Sequence, residues 1–78
     1  MMMTETLTRE NVKYIIARLI DNANDAAEEY KKDKSNKLLA GRKLAYYEML
    51  DILRTELDVR DEDLEEFGLD IDLEKTYA

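Results

Sequence analysis

The sequence has no cysteine and no histidine. The first absence excludes disulfides and thiolate metal sites, and the second removes the commonest general base and the commonest zinc ligand. Without them there is no activated thiol and no serine–histidine pair, and Ser35 is the only serine. Proline is absent as well, which suits long helices and argues against a loop-rich fold. Glycine occurs twice, at Gly41 and Gly68, so no glycine-rich phosphate loop can form. No run approaches the ~20 apolar residues of a membrane span. Met1–Thr8 has neither the basic start nor the apolar stretch of a signal peptide. The expectation is a non-enzymatic, cytoplasmic protein with no cofactor and no metal site.

What is present is charge and helical periodicity. The 78 residues make one domain, with residues 1–7 expected to be disordered. A chain this short buries a modest core and gains from a staple or a partner; with no staple, oligomerisation is the remaining route. The net charge is −7 and is unevenly placed. Residues 1–57 hold ten acids and ten bases, whereas residues 58–78 hold nine acids against Arg60 and Lys75. The opposite charge gathers around a candidate turn: Lys31, Lys32, Lys34, Lys37, Arg42 and Lys43.

The fold expected is all-α: an antiparallel helical hairpin, about 8–32 and 36–57, plus a short C-terminal helix, about 62–67, with dimerisation into a four-helix bundle as an option. Thr8 suits an N-cap, and Leu7 with Val12 suits a hydrophobic staple. Val12, Ile15, Ile16, Leu19, Ile20, Ala23, Ala26, Ala27 and Tyr30 then recur on one helical face. Asp33–Asn36 is the turn, because Asp, Ser and Asn compete with helix for backbone groups, and Ser35 or Asn36 can cap the next helix. A loop this short makes the helices antiparallel neighbours, so residues whose numbers sum to about 69 lie level. That register sets Ala23, Ala26 and Ala27 against Gly41 and Ala45, predicting a close approach of the helices near the turn.

The second helix is the widest apolar element. Two adjoining strips, Leu38–Ala45–Met49–Ile52 and Leu39–Tyr46–Leu50–Leu53–Leu57, span about 160° of its circumference at 100° per residue. A helix packed on one neighbour needs a stripe of about 100°. The excess predicts a further contact, placed at Tyr46, Leu50, Leu53 and Leu57, with Leu44 and Tyr47 as a second patch.

In the acidic tail, Asp61 suits the N-cap of the short helix Glu62–Phe67. Gly68 sits where a left-handed residue ends a helix, with Leu64 and Leu69 as the flanking pair of a Schellman motif. Leu64, Phe67, Leu69 and Ile71 form an apolar set able to dock on the open end of the hairpin. Asp70–Leu73 suits coil or a last short helix capped by Asp70 or Asp72. A calcium loop is excluded, since the sixth residue counted from Asp61 is Glu66 and from Asp70 is Lys75, where glycine is required.

Asp25 and Glu28, and Glu48 and Asp51, are carboxylate pairs three residues apart. This spacing resembles the ExxE…ExxD pattern of the all-α MazG-like nucleotide pyrophosphatases. The resemblance implies these four residues as magnesium ligands acting on nucleoside triphosphates. Asp stands in place of the first Glu, and helical geometry turns Asp25, Glu28 and Asp51 away from the apolar faces. Solvated ion pairs are therefore the expected use of these carboxylates. The segment Gly41–Leu50, GRKLAYYEML, resembles part of small helical proteins of Gram-positive bacteria and their mobile elements, a resemblance that implies no activity.

The function expected is a small interaction or regulatory module that self-associates through the second helix or binds a protein partner. An alternative is an acidic inhibitor from a mobile element that occupies a basic, nucleic-acid-binding surface. Direct nucleic-acid binding and membrane association are not expected.

Overall fold

The computed structural model describes residues 8–78, so the expectations for residues 1–7, including the Leu7 side of the staple, lie outside the described residues. The chain forms α1 (Arg9–Lys32), α2 (Lys37–Val59) and α3 (Leu73–Tyr77), with no strand among the described residues. α1 and α2 pack together as the hairpin, and α3 packs against both.

Each helix starts where a polar side chain satisfies free amides. The Thr8 hydroxyl accepts from the Asn11 amide at 3.1 Å. Asn36 Oδ1 accepts from the amides of Leu38 at 3.0 Å and Leu39 at 3.3 Å, and Asp72 Oδ1 accepts from that of Lys75 at 3.1 Å. These caps occupy donors that have no partner inside the helix. The register follows the short turn: Arg42 pairs with Glu29, and Lys43 Nζ lies 5.0 Å from the centroid of the Tyr30 ring.

The rotation of α2 about its own axis differs from the expected one. Leu50 is fully buried, while Leu38, Gly41, Ala45, Met49 and Ile52 are exposed. A Cβ added at Gly41 would meet nothing within 4 Å, so the predicted close approach between Gly41 and the alanines of α1 is absent. The reason lies after Val59. Phe67, Leu69, Leu73 and Tyr77 are buried in one cluster with Ile16, Ala23 and Leu50. Two helices alone would share the whole apolar stripe of α2. With the C-terminal segment as a third body, α2 turns so that Tyr47 also packs on the core and the Leu38–Ala45–Met49–Ile52 strip faces out.

The short C-terminal helix is displaced from its expected position. α2 closes with the Glu62 amide on Leu57 O at 2.9 Å and the Asp61 amide on Asp58 O at 3.0 Å. This is a Schellman closure with Asp61 at φ 59° as its left-handed residue, so Asp61 ends α2 and does not begin a helix. A second closure follows seven residues on, with Leu69 N–H on Leu64 O at 2.9 Å, Gly68 N–H on Glu65 O at 3.1 Å and Gly68 at φ 75°. The pairing of Leu64 with Leu69 around Gly68 is the one expected. Between two such closures there is room for a single turn, so residues 64–68 form a turn, no helix covers 62–67, and the helix is α3, Leu73–Tyr77.

The segment is also held by charge. Arg9 reaches Glu62 at 2.7 Å and Glu66 at 3.1 Å, Lys13 reaches Glu66 at 3.7 Å, and the Arg9 guanidinium lies 5.5 Å from the Phe67 ring centroid. Hydrogen bonding and charge from Glu62, reinforced by Glu66, raise the Arg9 pKa above its ordinary value. Ile71, grouped with the docking set in sequence, stays exposed.

Candidate functional site

The residues expected at an interface divide by burial. Leu50 is 0% exposed and forms core. Tyr46, Tyr47, Leu53 and Leu57 are half-buried and pack against the core cluster. Leu44 is 49% exposed and stands apart from that group. The C-terminal segment thus occupies much of the stripe reserved for a partner. Burial raises the Tyr47 pKa above its ordinary value, with smaller contributions from Glu74 of the segment and from Asp51.

The apolar surface left over is the other strip. Leu38 is 84% exposed, Met49 40%, Ile52 61% and Val59 71%. With Ala45 they form one row along the outer side of α2, interrupted by Arg42 and Glu56. Single exposed apolar residues are ordinary on a protein surface, whereas an aligned row on one helix face is a candidate contact surface. Sequence reasoning put the further contact on the adjoining strip and left Val59 out of both. The signal was legible in the strict seven-residue spacing of Leu38, Ala45, Ile52 and Val59.

A second feature is an open cavity of about 420 Å³ at the turn end, lined by Asn24, Tyr30, Lys31, Lys34, Lys43 and Thr76 among others. It collects part of the basic group seen in the sequence. Lys43 donates to the carbonyl of Ala78 at 3.2 Å, and Lys31 pairs with Glu28 at 3.8 Å.

The carboxylate pairs do not assemble. Glu28 is tied to Lys31, and Asp51 to Arg54 at 2.6 Å. Among the described residues no group of three or more carboxylates is placed to hold a metal ion, and no helix is long and apolar enough to cross a membrane. No protein-family model, curated protein or solved structure matches the chain.

Proposed function

We propose that this chain is a small non-enzymatic interaction module that self-associates through the outer face of its second helix. The observation that carries this reading is the row of exposed apolar side chains on α2, which remains after α1 and the C-terminal segment have completed the core. Four large or medium apolar side chains aligned on one face give a strip that water solvates poorly and that a second apolar surface would cover. The lack of histidine and cysteine, and the dispersal of the carboxylates into local ion pairs, support a role in binding over one in catalysis.

Sedimentation equilibrium over a wide range of dilution tests the reading. The expected result is a mass above the monomer at high concentration, and loss of association in Ile52→Glu with the helical circular dichroism unchanged. A monomer at every concentration would overturn it.

A second reading is favoured by the exposed carboxylates of Asp58, Asp61, Asp63, Glu65 and Asp70, which crowd one end of the chain. They suit a basic protein surface, such as one that binds nucleic acid. Binding of that kind weakens steeply as salt rises, and salt-insensitive binding would exclude it.

A further inference from the structure

The outer face of α2 carries two rows at seven-residue spacing. One is Leu38, Ala45, Ile52 and Val59, and the other is Arg42, Met49 and Glu56. Together they are the two seam rows of a heptad pattern, the period at which one helix follows another. We infer that the occupant of this face is α2 of a second copy of the chain, running antiparallel, with the two-fold axis passing at Met49. The inference rests on the self-association proposed above and names its geometry.

The charges decide the direction. Arg42 and Glu56 are the charged members of their row, and each lies seven residues from Met49. In an antiparallel pair centred on Met49, residues whose numbers sum to about 98 lie level. Arg42 then meets the partner's Glu56, and by symmetry the contact occurs twice. In a parallel pair Arg42 would face Arg42 and Glu56 would face Glu56. The flanks agree: the first third of α2 holds Lys37, Arg42 and Lys43, and the remainder holds Glu48, Asp51, Glu56 and Asp58 against Arg54.

The sizes agree with the same register. Ala45 comes within one residue of the level of the partner's Ile52, and Leu38 within one of the partner's Val59. Each crossing sets a smaller side chain against a larger one, which lets two identical faces interdigitate. Within one chain Arg42 pairs with Glu29, and Glu56 with Arg60 at 2.6 Å. All four side chains are substantially exposed, and surface pairs of this kind are weak, so exchange of partners costs little.

The C-terminal segment does not obstruct the face. Tyr47, whose hydroxyl senses Glu74 and Asp72 of that segment, lies about 140° around α2 from Ile52.

The chain has no native thiol, so any introduced cysteine reports its own contacts. The test is oxidation of single-cysteine variants of the full chain at concentrations where the parent is associated by sedimentation. An equimolar mixture of Ala45→Cys and Ile52→Cys should give the mixed disulfide well above the two-to-one ratio to each self-pair that random pairing yields, because a disulfide tolerates only a short Cα separation. Alongside it, Arg42→Glu and Glu56→Arg should each weaken association at least tenfold, and the double variant should recover most of the loss. Recovery separates this role from a structural one, since the double variant restores neither Arg42–Glu29 nor Glu56–Arg60. A dominant Ile52→Cys self-disulfide, or no recovery in the double variant, would overturn the antiparallel register while leaving self-association standing. A parent chain that stays monomeric throughout would overturn both.

Discussion

The hydroxyl of Tyr77 donates a hydrogen bond to the side-chain oxygen of Asn24, joining residues 53 positions apart. It fixes α3 on the middle of α1. Tyr77 is 2% exposed, and burial raises its pKa above the ordinary value. The same contact therefore makes stability depend on alkali.

In the folded chain Tyr77 keeps its proton to a higher pH than in the unfolded chain. Between the two pKa values the folded state binds more protons, so stability falls as pH rises. The stabilising effect is complete below about pH 10, the ordinary tyrosine value, and is lost above it. Tyr77→Phe should cost about 0.5–1.5 kcal/mol at neutral pH, the net value of one hydrogen bond. It should also flatten the decline in melting temperature above pH 10, though Tyr47, shifted in the same direction, preserves part of the slope. Melting curves from pH 7 to 11 check both, and an identical alkaline slope in the variant would dissociate Tyr77 from the effect.

Gly41 lies in the first half of α2 with open space where its Cβ would be. Gly41→Ala should therefore stabilise the chain by up to about 1 kcal/mol, the difference in helix propensity between the two residues. Gly41→Leu should be tolerated too, the reverse of what the close-approach register predicted. A lower melting temperature for Gly41→Ala in dilute solution would mean that the helices meet at this position after all.

Gly41 also marks where the sequence stops being legible. The Thr8 cap, the hairpin and the Leu64–Gly68–Leu69 closure follow from neighbours within a few residues and are read from local chemistry, which also narrows the other two caps to Ser35 or Asn36 and Asp70 or Asp72, of which Asn36 and Asp72 are used. The rotation of α2 does not, because it depends on a body more than ten residues further along the chain. Leu38 and Leu39 are equally apolar in sequence. Only the docking of Phe67, Leu69, Leu73 and Tyr77 separates the outward strip from the inward one. The same body decides the surroundings of the expected contact stripe, much of which packs with the chain's own C-terminal segment. Asp61 has a different cause: an acidic residue before Glu62 and Asp63 looks like an N-cap, whereas its place after Leu57–Val59 makes it the end of α2.

Asp61 and Gly68 hold equivalent positions in two successive closures, at φ 59° and 75°. Glycine enters this region without steric cost, whereas a residue with a Cβ does not. Asp61→Gly should raise stability by up to about 1 kcal/mol, partly offset by the greater freedom of glycine in the unfolded chain. Gly68→Ala should lower it by about 1–2 kcal/mol, although the added Cβ would sit 3.5 Å from Ile20 Cδ1 in ordinary contact. Backbone strain, not crowding, predicts opposite signs for the two. Urea unfolding of the pair checks this, and a loss of stability in Asp61→Gly would count against a left-handed residue there.

Leu50 and Ile52 lie two positions apart on α2 and face opposite surroundings, at 0% and 61% exposure. Truncating Leu50 to alanine opens a cavity among Ile16, Leu69, Leu73 and Tyr77, and should cost about 2–5 kcal/mol. Truncating Ile52 leaves no cavity, so in dilute solution Ile52→Ala should change stability by less than about 0.5 kcal/mol. At high concentration the ordering changes. A module that pairs through Ile52 gains stability by association, and Ile52→Ala should lose much of that concentration-dependent gain. Unfolding both variants at two widely separated concentrations distinguishes core from contact surface. If Ile52→Ala were as damaging as Leu50→Ala in dilute solution, the outer row would belong to the core, and the proposed pairing face would have to be abandoned.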